Sequence, residues 1–241
     1  MTLMSSSIDP VIDQKVSLAV STVIFALRPH PTTGLLTVWL PLVRRIREPY
    51  EGQWALPGGP LEADEDLAAS ARHTLERTTG LTPQYLEQLY AFGAVGRSPG
   101  DRVVSIVYWA LVKPDEDARA IDGENVEWFV ADELPSLAFD HRTIVEYASW
   151  RLRTKMAYSR IARGFLGETF TLAELRSVHE AVLHKQLDPA NFRRQMLAGK
   201  SIVATGSCLQ GTSHRPPALY RFDAETQLAE HGPLTDPEER R

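Results

Sequence analysis

GPLEADEDLAASARHTLERTTGL, residues Gly59 to Leu81, is the stretch on which the fold turns. Leu67, Ala71 and Leu75 recur at helical spacing and share one face. Asp64 is placed to cap the N-terminus and Gly80 to take the C′ position, so a helix is expected from about Asp64 to Thr79. Around it lie apolar, β-branched runs of strand length. Val16–Leu27 and Leu36–Leu42 are parted by Pro29, His30, Pro31 and Gly34; Tyr85–Val95, Val103–Val112 and Val126–Val130 follow. A second long helix is expected from about His141 to Lys155. Strands on either side of helices make residues 1–154 an α/β domain.

Gly59, Glu65, Leu75, Gly80 and Leu81 also stand in the register of a known motif. They resemble the Nudix box, G-x5-E-x7-R-E-U-x-E-E-x-G-U with U aliphatic. The Arg-Glu pair of that pattern is here His73–Thr74, and the Glu-Glu pair is Arg77–Thr78. The missing carboxylates are the groups that hold divalent metal in a Nudix hydrolase. Magnesium takes hard oxygen ligands, and pyrophosphate hydrolysis needs that charge to steady the developing anion. Threonine is a weak neutral ligand, and Arg77 brings positive charge to a cation site. Glu76 does not replace them, because one residue along a helix turns the side chain by about 100°. The resemblance implies a Nudix α/β/α sandwich with a mixed sheet; the substitutions imply no metal site and no catalytic residues.

At 241 residues, 43% hydrophobic and 24% charged, the chain is ordinary for a soluble globular protein of one or two domains. Val16–Leu27 is interrupted by Ser17, Ser21 and Thr22, which excludes a membrane span. The N-terminus lacks the sections of a signal peptide. Cys208 is the only cysteine, so no intrachain disulfide can form and a cytoplasmic location is expected. The net charge of −5 hides a division. Residues 1–154 hold 14 Lys/Arg against 21 Asp/Glu, residues 155–221 hold 10 against 4, and the remainder holds 2 against 6. A basic segment in an acidic chain points to a polyanion for that segment, although a solvated surface excess has the same signature.

That segment changes character. Ile161–Leu166 suggests a short helix, Thr171 can cap another over Leu172–His184, and Asp188–Pro189 opens a third that runs to Ala198. Ser201–Thr205 and Ala218–Phe222 are short strand candidates around a loop with Gly206, Gly211, Pro216 and Pro217. Three helices and a hairpin are the order of a winged helix-turn-helix, here residues 155–225. Residues 226–241 are expected to be a poorly ordered tail. In the third helix Phe192 and Met196 point one way, Arg193 and Arg194 the other, the division that seats a recognition helix and turns basic groups to the major groove. An amphipathic helix with a solvated arginine face shares this pattern. Asn191, Arg193, Arg194, Lys200 and Arg215 are the candidate DNA contacts.

In the first domain, Trp54 to Gly59 would bring backbone close to a ligand. Arg97 and Arg102 flank a Ser98–Asp101 turn, where two guanidinium groups could hold a diphosphate. A plain tight turn with solvated arginines is the alternative.

QWALPGG (Gln53–Gly59), YLEQLYAFG (Tyr85–Gly93), GDRVVSIVY (Gly100–Tyr108) and LYRF (Leu219–Phe222) together resemble the Nudix-related transcriptional regulators, the NrtR family, over roughly residues 16 to 222. The resemblance implies a homodimeric repressor of NAD biosynthesis or salvage genes. Its Nudix domain would sense ADP-ribose or a related NAD-derived nucleotide, as an effector rather than a cofactor, and its winged helix would bind a palindromic operator. By motif position the ligand candidates are Arg45, with Arg44 and Arg47 beside it, Trp54, Gly58, Gly59, Arg97 and Arg102. The Ser207–Pro217 loop departs from the family pattern, keeping only Arg215 of a glycine- and arginine-rich run.

Two other readings compete. One is an active ADP-ribose hydrolase with metal ligands from Glu65, Glu76 and Glu87. The other is a nucleotide-sensing module that binds protein rather than DNA.

Overall fold

The structure, a computed structural model, describes residues 15–83, 85–117, 120, 125–158, 161–199, 201–210 and 216–223. Its organising strand is β1 (Val16–Pro29), buried without interruption from Val20 to Ala26. Such a run, lacking polar alternation, belongs to a strand covered on both faces. One edge of β1 pairs in parallel with β6 (Arg102–Leu111), from Val16↔Arg102 to Phe25↔Leu111. The other edge is shared. Ala19–Ser21 pair with β4 (Gly58–Pro60), and Ala26–Pro29 pair with β2 (Leu36–Arg44), both antiparallel. β5 (Tyr85–Phe92) lies outside β6, and β2 also carries β3 (Trp54–Ala55) and β7 (Val126–Val130). One parallel pair within antiparallel neighbours makes the expected mixed sheet.

Helix α1 (Leu67–Thr79) covers one face, with Ala71 against Val20 and Tyr108, and Leu75 with Ile24, Ala26 and Ala110. The other face carries α3 (His141–Tyr158), whose Ile144, Val145, Ala148 and Leu152 join Val23, Phe25 and Trp109. This is the α/β/α sandwich.

Local expectations differ in places. α1 begins at Leu67 with Asp66, not Asp64, at the N-cap, where no side-chain cap bond forms. Asp64 lies instead inside a turn, in which the Glu65 amide donates to the Glu62 carbonyl at 3.4 Å. Gly80 does close the helix, in the left-handed region at φ 69°. β5 stops at Phe92 rather than Val95, which is 89% exposed in the following turn. A one-turn helix, α2 (Pro114–Asp117), had no signal beyond its proline and acids.

After α3 the expected short helix is present as a 3₁₀ helix (Ile161–Phe165). Thr171 caps α4 (Leu172–Leu183) through a full capping box with Glu174. Asp188 accepts from the Asn191 amide, with Pro189 at the first position of α5 (Pro189–Ala198). β8 (Phe170–Thr171), β10 (Ala218–Phe222) and β9 (Ile202–Cys208) form a three-stranded sheet in that order. β9 runs past Thr205, and β8 was not foreseen because two residues carry no periodicity. The expected tail at 226–241 lies outside the described residues.

The two modules share one core. Buried side chains continue from Trp109 and Leu111 through Leu152, Met156, Ile161 and Phe165 to Leu175, Val178 and Phe192. Gly164 is the tightest point: a Cβ there would stand 2.6 Å from Leu111 Cδ1 and 2.7 Å from its Cβ. Among the described residues no helix is long and apolar enough to cross a membrane.

Candidate ligand site and nucleic-acid interface

Three of the ligand candidates converge on the residues that lead into α3. Arg97 forms a two-pronged pair with Asp140, Nε to Oδ2 at 2.9 Å and Nη2 to Oδ1 at 2.6 Å. Its side chain is only 5% exposed, so the guanidinium is desolvated and held by charge-assisted bonds. Arg45 lies over the Phe139 ring at 4.7 Å, and its Nε donates to the Pro49 carbonyl at 2.8 Å. Trp54 accepts the Ala138 amide on its carbonyl at 2.8 Å, while its ring meets Phe129 edge-on.

His141 closes this hub. The Leu56 amide donates to its Nδ1 at 2.9 Å, which requires that nitrogen to be unprotonated. Burial is the main force holding the His141 pKa down, at about 4; Asp140 opposes it, while the Arg97 and Arg45 charges add to it. The imidazole is therefore neutral at pH 7. Residues Phe139, Asp140 and His141 were not among the sequence candidates. A signal existed, an aspartate directly before a predicted helix, but it pointed to capping rather than to a site.

The remaining candidates divide. Gly58 is fixed by close approach, since a Cβ would lie 2.7 Å from the Val20 carbonyl oxygen and 2.9 Å from Ser21 Oγ. A Cβ on Gly59 would meet nothing within 4 Å. Arg102 opens β6 opposite Val16, and its Nη1 donates to the Val103 carbonyl at 3.4 Å. Among the described residues Arg97 and Arg102 thus share no partner. Arg44 lines a separate cleft of about 480 Å³ with Arg28, Trp54, Asn125, Glu127 and Trp128.

The box positions do not fit the divalent metal that their pattern implies. Thr74 is buried under the helix, Arg77 and Glu76 are exposed, and Glu65 faces His73 at 3.4 Å. Glu87 is elsewhere, bonded to Tyr85 and held by Lys155 Nζ at 2.6 and 2.7 Å. Among the described residues no three His, Cys, Asp or Glu side chains are grouped to hold a metal ion.

In the C-terminal module, α5 buries Phe192 and half-buries Met196, while Asn191, Arg193, Arg194 and Gln195 are exposed. Phe192 sits edge-on to His179 of α4 at 5.2 Å, and burial lowers the pKa of that histidine. Arg194 Nη2 donates to Asn191 Oδ1 one turn earlier on the same outward face. Lys200 and Arg215 lie outside the described residues.

Comparison with known proteins matches both modules. Residues 20–148 match the NUDIX domain, and residues 163–222 match the NrtR DNA-binding winged helix domain. The chain is 33% identical over 186 residues to the ADPR responsive transcriptional repressor NtrR of Acinetobacter baylyi, covering 75% of this chain and 74% of that one. It is 33% identical over 111 residues to the ADP-ribose pyrophosphatase of Methanocaldococcus jannaschii, covering 46% and 66%. Among solved structures, Shewanella oneidensis NrtR complexed with a 27mer DNA is 32% identical, with a TM-score of 0.71 over 87% of this chain and 94% of that one. With a Nudix sandwich leading into this particular winged helix along most of its length, the chain belongs to the Nudix-related transcriptional regulators, the NrtR family.

Proposed function

We propose that this protein is a transcriptional repressor of NAD metabolism genes that binds DNA through α5 and answers to ADP-ribose or a related NAD-derived nucleotide. The observation that carries the DNA reading is the division of α5: Phe192 and Met196 seat it, while Arg193 and Arg194 stand in solvent. Arginine donates in parallel pairs to phosphates and guanine edges, which suits it to this position. Asn191, Lys200 and Arg215 complete the proposed DNA set. The Acinetobacter relative is described as an ADPR responsive transcriptional repressor, and the Shewanella neighbour was crystallised with DNA.

The effector would lie against the Trp54–Gly59 segment, with Arg45, Trp54, Gly58, Gly59, Arg97 and Arg102 as its binding residues. Its phosphates would compete with Asp140 for Arg97. No hydrolysis follows in this reading, because positions 74, 77 and 78 lack carboxylates. A hydrolase is the second reading, favoured by the similarity to an ADP-ribose pyrophosphatase. We further propose a homodimer on a palindromic operator, with half-sites about one helical turn apart or a multiple of it.

The test is a fluorescence anisotropy titration of a duplex selected from a random pool, with and without ADP-ribose. Linkage predicts a change of operator affinity of about 5- to 150-fold for a coupling of about 1–3 kcal/mol. The same factor must appear in ligand affinity with and without DNA. Sedimentation of the complex should show two chains per duplex. No enriched duplex would end the repressor reading, and equal affinities would end the sensing step.

A further inference from the structure

Helical geometry places the residues of α5 at 100° intervals. Measured from the direction shared by Phe192 and Met196, Arg194 lies diametrically opposite, with Asn191 and Leu197 about 60° to either side of it. Arg193 and Gln195 fall on the flanks. The most outward stripe is therefore polar at Asn191, cationic at Arg194 and apolar at Leu197. Leu197 is 44% exposed there, the large apolar side chain that α5 turns to solvent. Ala198 completes the stripe and is small enough to let a helix backbone sit close to a surface.

We propose that Leu197 is a specificity-determining residue that reads the 5-methyl group of thymine in the major groove, beside a base contacted by Arg194. This rests on the DNA-binding reading of α5 and names what the helix selects. The occupant is DNA rather than protein because the outward face carries Arg193 and Arg194 without an acidic side chain. It also lies in a segment of 10 Lys/Arg against 4 Asp/Glu. A phosphate backbone complements that charge. Within the major groove thymine alone offers an apolar group, and arginine is matched to guanine O6 and N7. Asn191 Oδ1 holds one Nη of Arg194, which fixes the guanidinium along the stripe and leaves its other donors for the base. An arginine and a leucine three residues apart, one turn along a helix, then face neighbouring bases.

The experiment uses the full chain and duplexes enriched from a random pool. Each thymine of the enriched site is replaced in turn by deoxyuridine, which removes only the methyl group. At one thymine per half-site, next to a guanine, wild-type affinity should fall about fourfold, the worth of one methyl group withdrawn from apolar contact. Leu197→Ala should bind the thymine and uracil duplexes equally. Its partly exposed position keeps the fold out of the comparison, and circular dichroism checks it. Wild-type protein that binds every uracil duplex as tightly as its thymine parent overturns the proposal. So does Leu197→Ala that still discriminates, which would move the methyl contact elsewhere. Both outcomes leave the DNA-binding reading intact; failure to enrich any duplex, or undiminished binding by Arg194→Ala, refutes that reading itself.

Discussion

Lowering the pH from 7 toward 5 should destabilise the protein through His141 before most carboxylates begin to titrate. His141 is 7% exposed and its ring takes the Leu56 amide on Nδ1, so protonation puts two donors face to face and charges a desolvated ring. Its folded pKa, about 4, lies below the ordinary value of 6.5. The unfolded chain therefore binds the extra proton first, and stability rises with pH between those values. Stability from this group is complete above about pH 6.5 and is lost as the pH falls toward 4. Each pH step of one in that window is worth about 1.4 kcal/mol, giving a loss on the order of 2 kcal/mol by pH 5 and about 3 kcal/mol by pH 4. Denaturant unfolding at pH 7, 6 and 5 measures it, with His141→Asn as the reference. The asparagine Oδ1 can accept the Leu56 amide but cannot take up a proton. His179, also held low by burial, is present in both proteins and cancels in the difference. The stability gap between wild type and variant should shrink or invert by about 2 kcal/mol from pH 7 to pH 5. A gap independent of pH, or an NMR titration of His141 centred near 6.5, would refute the reasoning.

Arg194→Ala should weaken operator binding while leaving thermal unfolding unchanged, and should flatten the salt dependence by about 0.9 for each phosphate that the arginine neutralises. Gly164→Ala should destabilise by about 1–3 kcal/mol in denaturant unfolding, because its Cβ would stand 2.7 Å from the Leu111 Cβ, which cannot swing aside. With magnesium or manganese, ADP-ribose should be turned over far more slowly than about 1 s⁻¹, the low end of usual enzyme rates, as followed by release of AMP. A rate above that would favour the hydrolase reading.

The sheet and the two covering helices were legible because their signals are dense: an apolar, β-branched run of strand length in β1 and helical spacing with a closing glycine in α1. The same holds for α4 and α5, whose caps at Thr171 and Asp188 are side-chain chemistry written into the sequence. Asp64 misled because two aspartates, Asp64 and Asp66, flank Glu65 and either could cap. Only the turn from Glu62 to Glu65 chooses among them. The split nature of β1, which changes antiparallel partner partway along, is a property of pairing that no local pattern records. The site was half legible. Arg45, Trp54 and Arg97 could be named as candidates from the motif, but their common anchor is Phe139 to His141, far along the chain from all three. Long-range ion pairs leave no periodic trace, and Asp140 resembles any helix cap until its partner is seen.

That anchor also bears on how a ligand event could reach DNA. α3 is fastened at its start by Arg97 to Asp140 and near its end by Lys155 to Glu87. Between these points its buried face contributes Leu152 and Met156 to the core shared with Ile161, Phe165 and Val178. A close-packed core transmits displacement instead of absorbing it, since filling or opening even a methyl-sized gap is costly. A phosphate that drew Arg97 from Asp140 would therefore act on the first turn of a stiff helix whose far end is built into the winged helix. Leu111, which Gly164 abuts, belongs to that same core, so a shift of the helix bears on the packing there. The proposed signal and the tight contact at Gly164 are thus mechanically linked. An alanine at position 164 should perturb ADP-ribose sensing as well as stability, even though it touches neither ligand. Calorimetry of ADP-ribose binding with and without operator checks this, and a coupling equal to that of the wild type would refute the link.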